Sequence, residues 1–389
     1  MSEDDNTLYE RQLMKSESFN LALMTNGASD NIKLWSGTPT RLKKEFRALL
    51  GGESVSCIDY SLPRLFKSFC FRLFIRNHEF VLGCARDPWY RWWTSRRLDH
   101  LIEKNALTSG WFFFVCDYVF GRALVKSGRK YVIYSDNGVY EYFPLLRGKV
   151  WWRKKYEEYL ERQDRILLDR AALIFTQNEW MRQCLIKRFD LSPDKVLNVG
   201  FGVNLEPYSG DKDYSQENLL IVLRRGTEHY KGLDLLLDAF ELLKKKRPQA
   251  TLSVVGTTAR EIAGVSYYEG FPRSKTVELF QRSTLYVMPA LREPNGITYL
   301  EALANRSPIV GLNRFAFPEF SGYGQWGFSV QNEDPAELAN VLNEALSDKE
   351  RLRAMGEAGQ RFVVDRYDWH KVCRNMIDIM HRYDQRSVE

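Results

Sequence analysis

The chain has 389 residues, of which 44% are hydrophobic, 27% charged and 14% aromatic, and its formal net charge is +6. This is globular composition with enough length for two to three domains and sizeable cores. The six cysteines (57, 70, 84, 116, 184 and 373) form no CxxC and no Cys/His cluster, which argues for reduced thiols in a cytosolic protein and against a zinc site. The charge is uneven: residues 61–155 hold 18 Lys/Arg against 7 Asp/Glu, and six of the ten tryptophans (89, 92, 93, 111, 151 and 152). Such a window reads either as core plus ordinary surface or as a face that meets anions, be they phosphates, nucleic acid or lipid headgroups.

In chain order, residues 1–17 are acidic and polar, expected to be a flexible tail and not a signal peptide. "FNLALMT" predicts a strand and "TPTRLKKEFRALL" a helix. The apolar run "WFFFVCDYVF" at 111–120 is too short to span a membrane and carries Asp117. "YVIYS" and "ALIFTQ" predict further strands, with the long helical stretch "WWRKKYEEYLERQDRILLDRA" lying in sequence between them. Residues 205–218, "LEPYSGDKDYSQEN", are polar and rich in turn formers, the best candidate linker. The "DKD" at 211–213 is expected to be solvated rather than a metal site.

The second half alternates more plainly. "LLIVLRR" (219–225) predicts a buried strand, and "GLDLLLDAFELLKKKRP" a helix with a basic last turn and a terminating proline. "ATLSVVG" (strand), "TVELFQRS" (helix), "LYVMPA" (strand), "ITYLEALAN" (helix) and "PIVGL" (strand) follow, then an amphipathic helix near 335–347. Strands alternating with helices predict doubly wound parallel α/β sheets, here two α/β domains with a cleft between them.

In such sheets ligands bind beyond the carboxyl ends of the strands, where helix N-termini offer free N–H groups. "LREPNGITYLEALANRSPIVG" occupies such a place. The amides of Asn295, Gly296, Ile297 and Thr298 are expected to cradle a phosphate, with Gly296 allowing close backbone approach. Two carboxylates, Glu293 and Glu301, stand eight positions apart around the same turn. Carboxylates only accept hydrogen bonds, which suits sugar hydroxyls and not phosphate. A ligand with both parts is a nucleotide sugar. "RRGTEHYKG" then places Arg225 and Lys231 to face its diphosphate.

These segments, from "LLIVLRRGTEHYKGLDLLLDAFELLKKKRPQATLSVVG" to "REPNGITYLEALANRSPIVG", resemble the C-terminal half of retaining glycosyltransferases of family 4 (group 1 type). The resemblance implies a GT-B-type fold of two Rossmann-like doubly wound domains facing a central cleft, with "YDWHKVCRNMIDIM" as a terminal helix crossing back to the first domain. It implies a flexible tail at 1–17, an N-terminal acceptor domain at 18–204, a linker at 205–217, a donor domain at 218–365, and the crossing helix with a tail at 366–389. Glu293 would contact the donor sugar and Glu301 the ribose, with Arg225 and Lys231 clamping the diphosphate. "WSGTPTRLKKEF" fits the family's glycine loop, making Gly37 a further donor contact, although a turn glycine would read the same. The chain departs from the family in two places. Arg224 stands where the family has Gly, and Ser135, Asp136 and Asn137 stand where many members have a histidine, leaving Asp136 as a donor-side candidate or a simple cap.

The implied activity is retaining, metal-independent hexosyl transfer from a nucleoside diphosphate sugar to an acceptor hydroxyl in glycan or glycolipid assembly, with no cofactor and no nucleic-acid partner. "RDPWYRWWTSRRLDH" and "KVWWRKK" place tryptophan beside Arg/Lys, so Trp89, Arg91, Trp92, Trp93, Arg96 and Arg97 form the candidate acceptor or membrane face. That predicts a cytoplasmic protein, peripheral on the inner face of a membrane. The rival readings are a nucleotide-sugar epimerase or glycan phosphorylase on the same fold, and a non-catalytic lipid- or nucleic-acid-binding module.

Overall fold

The computed structural model describes residues 20–32, 34–60, 96, 98, 100–102, 111–116, 124, 125, 127–135 and 153–386. The chain divides into two units. One is Met1–Gln177 with Cys184–Val199 and Cys373–Glu389, and the other is Asn178–Gln183 with Gly200–Val372.

The first unit holds a parallel sheet of β1 (Asn20–Asn26), β2 (Val55–Tyr60), β3 (Trp111–Val115), β4 (Tyr131–Ser135), β5 (Leu173–Thr176) and β6 (Val196–Asn198), in the order β2-β1-β3-β4-β5-β6. All five residues of β4 and all four of β5 are buried, as a sheet covered on both faces requires. The 111–120 run supplies β3, whose Phe112, Phe113 and Phe114 are buried between β1 and β4. Helix α1 (Thr38–Leu50) coincides with its predicted stretch and turns Leu42 and Phe46 inward, one helical turn apart. The long helix α2 (Arg153–Arg170) precedes β5, and α3 (Glu179–Phe189) follows it. At the far end of the chain the terminal helix, Trp369–Arg386, contributes to this unit: the Tyr383 ring lies 6.4 Å from that of Phe112, and Lys130 Nζ donates to Asp384.

The second unit holds β7 (Asn218–Val222), β8 (Thr251–Val255), β9 (Val265–Tyr268), β10 (Leu285–Val287), β11 (Ile309–Leu312) and β12 (Gly327–Val330), all parallel, in the order β12-β11-β10-β7-β8-β9. Helix α4 (Leu233–Lys246) buries Leu233, Leu236, Leu237, Phe240 and Leu243 at helical spacing, each contributing roughly 1.5–3 kcal/mol of burial. Its last turn, Lys244 to Lys246, complements the helix dipole. Helices α5 (Arg273–Arg282) and α6 (Ile297–Ala304) flank β10 in sequence.

Two details correct the sequence reading. The strand predicted over 219–225 stops at Val222, because Gly226 takes φ 86° and Thr227 N–H closes a turn on the Arg224 carbonyl. Arg224 and Arg225 therefore leave the sheet at its carboxyl end. In the 211–213 segment the two aspartates are exposed but Lys212 is only 2% exposed. Its Nζ donates to the Phe280 and Asn305 carbonyls and to Ser307 Oγ at 3.0, 2.6 and 2.7 Å, and burial holds the ammonium well below its ordinary pKa. Those three bonds compensate a desolvation that an isolated lysine would not survive. Among the described residues no helix is long and apolar enough to cross a membrane.

Candidate active site

The exit loops of β7 and β10 meet because those strands are neighbours in the sheet. The Tyr230 carbonyl accepts from Leu291 N (2.8 Å) and Arg292 N (3.1 Å), stitching the two loops together. Gly232, with φ 72°, lies so close that a Cβ there would stand 2.0 Å from the Pro289 carbonyl oxygen, so no other residue fits. This contact delivers Lys231 to Glu293. Lys231 Nζ pairs with Glu293 Oε2, both side chains being largely buried.

Glu293 also turns back on its own loop. Its Oε1 accepts from the amides of Asn295 (3.1 Å) and Gly296 (2.8 Å), the donors expected to cradle a phosphate. Gly296 caps α6 in the left-handed region (φ 63°), and a Cβ there would stand 2.3 Å from the Tyr299 ring. The loop is held within the same unit by Asn178, whose Nδ2 donates to the Pro294 carbonyl (2.8 Å) and to Asn295 Oδ1 (2.6 Å). Thr298 points its hydroxyl away from the loop, accepting from Tyr286 (2.7 Å). Ile297 opens the helix. Burial, then the Arg224 guanidinium, push the Lys231 ammonium down to about 8, and the Glu293 carboxylate against it opposes that shift.

Glu301 lies deeper, about one turn into α6 and 8% exposed. Arg273, the first residue of α5, donates from Nη2 to Glu301 Oε1 at 3.1 Å. Burial pushes the Glu301 carboxyl up, and the Arg273 charge pulls it back. A pocket of about 390 Å³ opens here, lined by Arg225, Arg273 and Glu301 with Phe271, Val255 and Val222. Arg225 reaches it from the end of β7 and pairs with Glu269 at 3.2 Å, its side chain 82% exposed. The second unit thus joins Lys231, Glu293 and the α6 amides in one cluster, and Arg225 with Glu301 in the adjoining pocket. Arg225 is paired with Glu269 and Lys231 with Glu293.

Sequence reasoning missed Arg273, Phe271 and Asn178. Arg273 opens a helix after "GFP", the one local signal available. Its partner lies beyond an intervening strand, out of reach of periodicity.

In the first unit Gly37 is buried, takes φ 84° and caps α1. Trp35 and Ser36 before it also take positive φ, 45° and 54°, a strained conformation for residues that carry a Cβ. The Trp35 ring packs 5.5 Å from that of Tyr134 in β4. Arg96 is exposed on a helical segment. Asp136, Trp89, Arg91, Trp92, Trp93 and Arg97 lie outside the described residues.

Residues 211–362 match the family model described as glycosyl transferases group 1. Among curated proteins the chain is 22% identical over 261 residues to spore coat protein SA of Bacillus subtilis (strain 168), covering 58% of this chain and 69% of that one. It is 29% identical over 180 residues to a phosphatidyl-myo-inositol mannosyltransferase of Propionibacterium freudenreichii subsp. shermanii, covering 44% and 46%. An MMP alpha-(1->4)-mannosyltransferase of Mycolicibacterium hassiacum is 24% identical over 248 residues, 60% of each chain. The chain thus spans less than two thirds of the length of two of these three curated relatives. Among solved structures, a glycosyltransferase from Rickettsia africae ESF-5 superposes with TM-score 0.63 at 15% identity over 94% of this chain and 99% of that one. The sucrose-phosphate synthase of Thermosynechococcus elongatus superposes with TM-score 0.67 at 13% identity over 94% and 98%. The fold, two parallel six-stranded α/β sheets, is of GT-B type.

Proposed function

We propose that the protein is a retaining glycosyltransferase of family 4 that moves a hexose-type sugar from a nucleoside diphosphate sugar to an acceptor hydroxyl. The observation that carries this reading is the binding mode of Glu293. Its carboxylate lies against the Lys231 ammonium and accepts from the amides of Asn295 and Gly296. One ammonium and two backbone amides at a helix start form a site for an anion. The side chain of Glu293 fills that site until a diphosphate competes for it.

Donor binding then exchanges one anion for another. The phosphates take over Lys231 and the α6 amides, with Arg225 approaching from the pocket side. The released Glu293 turns to the hydroxyls of the sugar, and Glu301 accepts from the ribose. As the glycosidic bond breaks, charge accumulates on the diphosphate, and donors already fixed around it stabilise that charge. The cations in place supply what a divalent ion would otherwise supply, so the reaction is proposed to be metal-independent. Retention is proposed to follow from front-side attack, the leaving phosphate accepting the acceptor's proton.

The acceptor is proposed to be a glycan or a lipid-linked hydroxyl in glycan or glycolipid assembly, met from the cytoplasmic side at an anionic membrane surface. The names of several relatives, which transfer mannosyl groups or act on phosphatidyl-inositol, and the tryptophan-rich basic composition of residues 61–155 support this.

A panel of UDP-, GDP- and ADP-sugars, incubated with excess EDTA and followed for slow donor hydrolysis, tests the donor reading. One donor is expected to be consumed, with the released sugar keeping its anomeric configuration by proton NMR. Consumption of none, or only after magnesium or manganese is restored, defeats the reading or its metal-free form respectively. Co-sedimentation with anionic liposomes tests the membrane face. Binding should fall steeply with salt, and indifference to such vesicles at low salt points to a soluble acceptor.

A further inference from the structure

Glu301 has a partner that no motif announces. Arg273 anchors itself at two points, donating from Nη2 to Glu301 Oε1 at 3.1 Å and to the Asn204 carbonyl at 3.3 Å. Its side chain is 61% exposed along the wall of the 390 Å³ pocket, whereas that of Glu301 is 10% exposed. Among the described residues Arg273 is the one hydrogen-bond donor to this carboxylate.

A carboxyl buried without a cation takes up a proton, and the protonated form loses acceptor capacity that a vicinal diol needs. The groups facing Glu301 are few. Arg273 contacts it from α5, Tyr286 on β10 feels its charge but donates its hydroxyl to Thr298, and Arg225 shares the pocket but pairs with Glu269. Arg273 is therefore the group that decides the carboxylate's charge and aim.

We infer that Arg273 is a positioning residue for the nucleotide's ribose: through its ion pair it keeps Glu301 ionised and directed into the pocket, with the second carboxylate oxygen left for the 2′,3′-diol. The inference rests on the donor-site reading above and adds a residue to it. The side chain acts through Glu301 and not by touching the nucleotide. The expected signature is therefore a loss of ribose recognition that depends on pH.

The test uses the full chain and calorimetry with UDP, GDP and ADP, then the tightest of them against its 2′,3′-dideoxy counterpart, between pH 5.5 and 8.5. Wild type should prefer the ribonucleotide by roughly tenfold or more, the worth of a hydrogen bond to a charged acceptor. Arg273→Met should approach that preference at pH 8.5 and lose it as pH falls, because its Glu301 protonates earlier. Arg273→Lys should restore most of it, and Glu301→Gln should show little preference at any pH. Thermal melts check that each variant is folded. Should Arg273→Met keep the wild-type preference throughout, or lose affinity equally for both nucleotides at every pH, the positioning role is wrong. Should wild type itself bind none of the nucleotides, or ignore the diol, the donor-site reading falls and this inference falls with it.

Discussion

Glu293 and Glu301 sit on one short segment, yet the structure treats them as opposites. Glu293 is fully engaged, with two backbone amides on one oxygen and an ammonium on the other. Glu301 is more deeply placed and holds a single guanidinium, and burial pushes its carboxyl up. A satisfied carboxylate keeps a site in order and has to let go when a ligand arrives. An under-satisfied one waits for the ligand's hydroxyls. The pair thus separates a gate from a receptor, and their cations differ in the same sense: Lys231 is largely buried and Arg273 mostly open.

The largest expected effect is on the gate. Lys231→Ala removes the ammonium that would face the developing charge and leaves Glu293 without its counter-ion, so kcat/KM should fall by about 2–4 kcal/mol worth of transition-state stabilisation. Steady-state kinetics on the donor found in the panel measures it, and near wild-type turnover would place the diphosphate elsewhere.

Exchanging the carboxylates should split binding from chemistry. Glu301→Ala should weaken binding of the bare nucleoside diphosphate by ~1.5–3 kcal/mol with less change in kcat, since a ribose contact is alike in ground and transition states. Glu293→Gln should lower kcat while the nucleoside diphosphate binds as well or better, because a neutral amide competes poorly for Lys231 and the two backbone N–H groups. If both variants respond alike, gate and receptor are not separate.

Arg225→Ala should cost less than Lys231→Ala, ~1–2 kcal/mol, because this side chain is open to solvent and shared with Glu269. A loss as large as that of Lys231→Ala would mean that Arg225 leaves Glu269 and becomes enclosed with the donor.

The smallest effect is one of shape. The Lys231 ammonium is pushed down to about 8, and the cation is the form that holds a diphosphate. The free-enzyme profile of kcat/KM should therefore decline as pH rises through about 8, and Lys231→Arg should remove that alkaline limb, since arginine stays charged. A limb that persists in Lys231→Arg belongs to another group.

Much of this was legible in the residues. The strands β7, β8, β10 and β11 and the helices α1, α4 and α6 fall on their predicted stretches, because each carries its own periodicity or a short apolar run between turn formers. The strand end at Val222 was misread, since Leu223 is as apolar as the strand and only the turn at Gly226 ends the pairing. Lys212 was misread for a related reason: a lysine between two aspartates looks solvated until three acceptors from other segments surround it.

What the sequence by itself determined is local: alternating α/β elements, a glycine at the start of α6, two glutamates around that turn, and cations at the end of β7. What only the tertiary structure decided is which charge meets which. The order β10-β7-β8-β9 seats β10 beside β7, although β8 and β9 separate them in sequence. That neighbourhood, sealed by the contact of Gly232 with the Pro289 carbonyl, gives Lys231 to Glu293. The same packing leaves Arg273 at the start of α5 facing Glu301 on α6. Periodicity can say that a side chain is on the inner face of its helix. It carries no information about the partner there, because the partner is chosen by strand order and backbone contact across the sheet.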